Sequence, residues 1–304
     1  MEHVVWSRRP ALTNPTMIAA FSGWNDAGDA ATLAVRHLIN EWGAEPMATI
    51  DPEEYFDFQA TRPEVHLVDG HTRRISWPTN EAYSASTSGG DVVLFLGVEP
   101  QLRWRTFTHQ IAAIAGETKT GLVVTLGALL ADVVHHRPVS LIGTATDQTL
   151  IDRFELQRSR YEGPTGIVGV LHDSCQQLGV ASLSLWAAVP AYASQVPSPK
   201  AALALGEGAC NVVGAAFPRL GLSMAVAEYE AQIDRYLAED EDLAGYVRRL
   251  ELMADDEDED DGDGDGEDGE EVSADQPGLG LDPGADAGQM VEDIERFLRD
   301  QGAS

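Results

Sequence analysis

With 304 residues, 43% of them apolar, the chain is long enough to bury a sizeable core in one large domain or two ordinary ones. Its net charge is −30, and residues 255–304 hold −18 of that through 20 acidic and 2 basic side chains, leaving residues 1–254 moderately acidic. A phosphate backbone or an anionic bilayer rewards basic surfaces, so nucleic acid and membrane are not expected partners. No apolar run reaches the roughly 18 residues of a membrane span, and Met1-Glu2-His3-Val4-Val5-Trp6 lacks the basic-then-apolar order of a secretory leader. Cys175 and Cys210 have no metal-type spacing and sit among apolar neighbours, so both are expected to be buried, reduced thiols of a cytoplasmic protein.

The first predicted strand is Met17–Phe21. A tight turn follows, Ser22-Gly23-Trp24-Asn25-Asp26, and then an amphipathic run from Ala27 to Trp42 with apolar residues near a 3.6 period. Asn25 or Asp26 can cap that helix, and Gly43 stops it. Pro46–Ile50 is a second strand, Asp51 to Gly70 a loop or short helix, and Arg73–Trp77 a weak strand. Ser86-Thr87-Ser88-Gly89-Gly90 is a flexible turn. Val92–Gly97 and Leu122–Gly127 are continuous apolar runs, as expected of strands buried on both faces. Arg103–Thr118 between them is helical. Val139–Gly143 is a further strand, followed by helices at about Asp147–Gln157 and Thr165–Leu178 and a last strand at Ala181–Ala188. The alternation predicts an α/β protein with a mostly parallel sheet between helical layers.

Beyond Pro197 the strands cease. Pro199–Phe217 and Ala225–Met253 read as helices, the second with one apolar stripe suited to packing on the body or on a partner. Residues 255–271 hold 13 acidic residues and no basic one, a run expected to be disordered. Residues 272–287 extend this linker, and Gln289–Arg299 is a short amphipathic helix too small to be stable alone. The expected organisation is an α/β core over 1–198, a helical extension over 199–254, an acidic linker over 255–287 and a C-terminal helix within 288–304.

The turn at Gly23, Trp24, Asn25 and Asp26 falls at the carboxyl end of a strand and the amino end of a helix, where open α/β sheets place their ligand crevices. Asp26 and Asp29 already supply negative charge to the helix dipole, so a phosphate is disfavoured there. Glu99 sits just past the strand Val92–Gly97. It could join Asp26 as a carboxylate pair at one crevice, although an ion pair with Arg103 or Arg105 explains it more plainly. The other motifs have bland readings. Asp132-Val133-Val134-His135-His136 joins carboxylate and imidazole but marks no further metal ligand, so it reads as a surface loop. In His172-Asp173, on an apolar helix, the neighbours suggest a satisfied, half-buried histidine. Asp261-Gly-Asp263-Gly-Asp265-Gly266 begins like a calcium loop but has Val272 at its twelfth position. Gly206-Glu207-Gly208 lacks both the third glycine and the preceding strand of a dinucleotide loop. Neither a nucleophile elbow nor a Walker sequence occurs. No cofactor or metal is expected, and no catalytic constellation is spelled out; Asp26 and Glu99 are the weak candidates for a general base.

Six stretches in order are more specific together than any one alone. They are Phe21-x-Gly-Trp-Asn-Asp-Ala-Gly28, Asp51-Pro-Glu-Glu-Tyr-Phe-Asp-Phe58 with Arg62-Pro63, and Glu99-Pro100 with Arg103-Trp104. Leu126-Gly-Ala-Leu-Leu-Ala-Asp132, Tyr161-Glu-Gly-Pro-Thr-Gly166 and Ser184-Leu-Trp-Ala-Ala-Val-Pro190 complete them. This set resembles the bacterial branch of the proteasome assembly chaperone 2 family over residues 5–200, resuming at Tyr229–Leu250 and Ile294–Arg299. The resemblance implies a phosphorylase- or hydrolase-like α/β sandwich, C-terminal helical additions, homo-oligomers such as trimers, and a chaperone-like, protein-binding role. It fixes no substrate and no catalytic residue. The chain departs from the family at Ala191, where a histidine is common, and at Val134-His135-His136, where Pro-His-Thr is common. Its last residues, Gln301-Gly-Ala-Ser304, lack the hydrophobic-Tyr-any ending by which proteasome-docking chaperones engage the outer ring. The expected function is therefore binding of other proteins, proteasome subunits among them, with Gly23, Trp24, Asn25, Asp26, Glu99 and Arg103 forming the recognition crevice. The rival expectation is a hydrolase, phosphorylase or carboxylate-amine ligase acting on a nucleoside, amide or amine.

Overall fold

A computed structural model describes residues 3–158 and 163–260. The acidic run from Asp261, the calcium-like loop and the C-terminal helix expected within 288–304 lie outside the described residues. Within them the chain forms eleven strands: β1 (Val4–Trp6), β2 (Thr16–Ser22), β3 (Glu45–Ile50), β4 (Glu64–Val68), β5 (Thr72–Ser76), β6 (Glu81–Thr87), β7 (Gly90–Val98), β8 (Leu122–Ala131), β9 (Leu141–Ala145), β10 (Gln157–Arg158) and β11 (Ala181–Pro190). The helices are α1 (Ala30–Glu41), α2 (Trp104–Thr118), α3 (Gln148–Phe154), α4 (Ile167–Gln177), α5 (Pro199–Val213), α6 (Leu220–Glu239) and α7 (Glu241–Asp260).

Nine of these strands form one sheet in the order β1-β3-β6-β7-β2-β8-β11-β9-β10. Its centre, β7-β2-β8-β11, is parallel, and antiparallel pairs extend it on both sides. The central strands are mostly apolar on both faces because helices cover both sides of the sheet. Along β2, Ile18 and Ala20 point to the layer built by α1 and α5, while Met17, Ala19 and Phe21 point to the layer built by α2 and α4. β7 alternates in the same way, with Val92 and Leu94 on the first face and Val93 and Phe95 on the second. This is the expected α/β sandwich.

The chain leaves β2 for α1 and β3 on one side of the sheet and leaves β8 for β9 on the other. The direction of winding therefore reverses between β2 and β8, and a crevice opens at their carboxyl ends.

Several expectations need correction. Asp51 to Gly70 is not all loop: a single 3-10 turn at Pro52–Glu54 is followed by β4, which pairs with β5 as a separate hairpin. β6 went unseen because it buries only small residues, Ala82 and Ser84, and Ser84 Oγ accepts from Arg8 Nη2 at 2.7 Å. The span Ala225–Met253 is two helices. Asp240 adopts an extended conformation between them and its carboxylate caps α7, accepting from Asp242 N at 3.1 Å and Leu243 N at 3.0 Å. α7 continues to Asp260, into the acidic run.

α6 and α7 lie across the carboxyl ends of β8 and β11. Ile233 and Tyr229 of α6 pack with Ala193, and Val247 and Leu250 of α7 pack with Val134. Among the described residues no helix is long and apolar enough to cross a membrane. Both cysteines are free and buried.

Candidate functional site

The turn after β2 is built from unusual backbone. Gly23 takes φ +128, which a side chain rarely adopts, and an added Cβ there would stand 3.1 Å from Glu99 Cβ. Asp26 pairs with Ala128 of β8 in an isolated bridge, and Ala128 N donates to Asn25 O at 2.9 Å. These contacts fix the turn to the next strand before the helix begins.

Asp26 is the cap expected from the sequence, but it acts from inside the protein. It is 5% exposed. Its Oδ1 accepts from Ala31 N at 2.7 Å and Thr32 N at 3.3 Å, and its Oδ2 accepts from the Thr32 hydroxyl. Burial raises its carboxyl to about 6, against the pull of the hydrogen bonds from Thr32 and Ala31. Its carboxylate faces the amino end of α1, and the first turn of that helix supplies the donors to both of its oxygens.

Asn25 points the other way. Its Nδ2 donates to Glu99 Oε1 at 3.2 Å, and the same oxygen accepts from Ile167 N, the first residue of α4, at 2.8 Å. Asn25 also lies against Gly166, where an added Cβ would stand 2.4 Å from Nδ2. Three of the sequence stretches, those at residues 21–28, 99–104 and 161–166, thus meet in one polar lock that joins the ends of β2 and β7 to the start of α4. Glu99 is not paired with Arg103, whose guanidinium instead bonds to the Glu54 carboxylate. No hydrogen bond joins Glu99 to Asp26 among the described residues, because they hold opposite sides of the turn.

Above the turn an open recess of about 440 Å³ is lined by Gly23, Trp24, Asp26, Asp29, Leu130 and the segment Ser194–Pro197. Trp24, half-buried, is one of its walls. Of the six residues expected in the crevice, Gly23, Trp24 and Asp26 line this recess; Asn25, Glu99 and Arg103 do not. On the far side of Gln195-Val196-Pro197 lies a second recess of about 410 Å³, mainly apolar, walled by Tyr192, Ile233, Tyr236 and Leu243. The segment after β11 is shared by both, so one continuous face runs from the turn at Trp24 to α6.

The second recess was invisible in sequence because part of its wall, Gln232, Ile233, Tyr236 and Leu243, comes from α6 and α7. The same is true of a cluster behind it. Asp234 Oδ1 lies 3.2 Å from His135 Nε2 and 2.9 Å from His136 Nε2. His135 is buried, with Nδ1 2.7 Å from the Tyr192 hydroxyl, which also accepts from His135 N at 2.8 Å. Burial lowers the His135 pKa, although the hydrogen bond with Asp234 opposes it. Asp234 is pushed up by desolvation, but the bonds from the two imidazoles outweigh that and hold it below the usual carboxylate range. The loop at residues 132–136 therefore does have a third donor, supplied 98 residues further along the chain. His172, by contrast, is as expected: its two ring nitrogens bond Thr125 Oγ1 and Ser182 Oγ, each at 2.8 Å, and burial lowers its pKa to about 4.

Comparison with known proteins places this geometry. A family model described as PAC2 family matches residues 20–237. A PAC2 family protein of Streptomyces avermitilis is 45% identical, covers 77% of this chain and 99% of its own, and superposes with a TM-score of 0.70. A Mycobacterium tuberculosis proteasome-assembly chaperone homologue is 44% identical, covers 76% of this chain and 99% of its own, with a TM-score of 0.69. At 18% identity, an archaeal proteasome activator of Pyrococcus furiosus shares the fold with a TM-score of 0.65, covering 78% of this chain and 99% of its own. Among curated proteins, none matches.

Proposed function

Because this chain belongs to the PAC2 family, we propose that it is a chaperone-like, protein-binding factor of the cytoplasm that works in proteasome assembly or a related step, as a homo-oligomer. The observation that carries this reading is the continuous face from Trp24 to Tyr236. Its mixture of a polar recess, an apolar recess and a half-buried tryptophan suits a protein surface better than a small substrate. The description of a bacterial relative as a proteasome-assembly chaperone homologue supports the same direction. In this reading residues 1–198 carry the polar half of the face and the extension over 199–254 adds the apolar half.

The rival enzymatic reading needs a carboxylate free to take a proton. Asp26 has a raised pKa, which is the usual mark of a base. Yet three donors at the start of α1 occupy its oxygens, and Glu99 Oε1 is held by Asn25 and Ile167. Burial and capping of α1 account for Asp26, and the bonds to Asn25 and Ile167 account for Glu99, without catalysis.

The test is affinity capture of the full chain from lysate of its own source, with recovered proteins identified by mass spectrometry. The proposal expects proteasome subunits in wild-type eluates and their loss in Trp24→Ala. Recovery of no proteasome subunit by folded protein would refute the link to proteasome assembly.

A further inference from the structure

We propose that His135, His136 and Asp234 form a binding site for a divalent transition cation of the zinc class, which fastens α6 to the end of β8. The three ligand atoms lie within 4.8 Å of one another. Tetrahedral coordination with bonds of about 2.0–2.2 Å places neighbouring donors roughly 3.3–3.5 Å apart. The two imidazole nitrogens already stand 3.2 Å and 2.9 Å from Asp234 Oδ1. A slight spreading of the cluster brings these distances to the tetrahedral spacing.

The donor set selects the metal. Two imidazoles and one carboxylate suit Zn2+ and its late first-row neighbours, whereas Mg2+ and Ca2+ require oxygen. Three protein ligands leave a coordination position for water. The surroundings are built for ligation by His135. Once an ion takes the Nε2 lone pair, the ring proton sits on Nδ1 and donates to the Tyr192 hydroxyl oxygen 2.7 Å away, which fixes the ring. Lys200 opposes positive charge at His135, but its ammonium is paired with Glu230 at 2.7 Å, which offsets part of that charge, and it donates to His135 O at 2.6 Å, which anchors the loop.

The site has a mechanical consequence. Asp234 follows Gln232 and Ile233, both walls of the apolar recess, and lies on the same turn of α6. A bound ion would tie that turn to a loop 98 residues away in sequence and set the depth of the recess, whatever the recess binds.

The full chain, stripped with a chelator, is titrated with ZnCl2 in excess MgCl2, which competes for sites made of carboxylates alone. One Zn2+ per chain is expected, weakened at least about tenfold in His136→Ala and in Asp234→Asn, and about 10- to 100-fold in Tyr192→Phe. His136 and Asp234 are exposed, so their variants keep the core intact. Co2+ bound to the wild type gives a reading that needs no variant: paramagnetically shifted imidazole resonances from two histidines. Absence of tight Zn2+ uptake by the wild type, equal uptake by wild type and both exposed variants, or Co2+ spectra without histidine signals would each overturn the proposal.

Discussion

Replacing Asp26 with Asn tests the inside of the candidate site through stability alone. Burial raises the carboxyl from 3.8 to about 6. The folded protein therefore binds a proton more tightly than the unfolded chain, and between about pH 4 and 6 its stability falls as pH rises. At about 1.4 kcal/mol for each pH unit, the ionised carboxylate costs about 3 kcal/mol once pH exceeds 6. Asn imitates the protonated acid: its oxygen still accepts from Ala31 N and Thr32 N, and its amide donates to the Thr32 hydroxyl. His172 hides this slope in the wild type. Its pKa falls from 6.5 to about 4, so the folded state binds fewer protons there and stability rises with pH between about 4 and 6.5, again by about 3 kcal/mol. The two slopes oppose each other. Urea unfolding of wild type and Asp26→Asn at steps from pH 4 to pH 7 should give equal stabilities at the acid end, with the variant more stable by about 2–3 kcal/mol at pH 7. An Asp26→Asn profile parallel to the wild type, or a variant less stable at pH 7, would refute the assignment of Asp26 as a buried cap held against its own desolvation.

The polar lock and the recess wall give three further expectations. Gly166→Ala places a Cβ 2.4 Å from Asn25 Nδ2, and it should cost about 1–3 kcal/mol by forcing Asn25 off Glu99, read as a lower urea midpoint with unchanged slope. Glu99→Gln keeps the acceptor for Ile167 N and should cost under about 1 kcal/mol, whereas Glu99→Ala orphans that donor and should cost about 1–3 kcal/mol; loss of partner capture in folded Glu99→Gln would instead mark the charge as functional. Trp24→Ala, at a half-buried wall, should shift the urea midpoint less than Gly166→Ala while removing partner capture.

The layers of the fold were legible because the strands at 17–21, 92–97 and 122–127 are runs apolar on both faces, broken only by Thr125, as a sheet covered on both sides requires. The turn was legible for a similar reason, since a strand running into Gly-Trp-Asn-Asp and an amphipathic helix admits few geometries. What stayed hidden depended on partners far along the chain. β6 buries Ala and Ser, residues with no apolar signature, and is held by ladders to β3 and β7. Arg103 meets Glu54, and Glu99 meets Asn25 and Ile167, because backbone positions rather than charge proximity in sequence decide those pairs. The His135, His136 and Asp234 cluster exists only once α6 crosses the end of β8. The break at Asp240 did carry a signal, since an acidic residue in an amphipathic run is also a helix cap.

The central claim, that partners bind the face between Trp24 and α6, is tested most directly by site-specific photocrosslinking. A photoreactive residue at exposed Gln195, which borders both recesses, is compared with one at Leu178, exposed just beyond α4. Capture of the same protein partner from Gln195 and not from Leu178 is the predicted result. Capture from Leu178 alone, or equally from both positions, would contradict it.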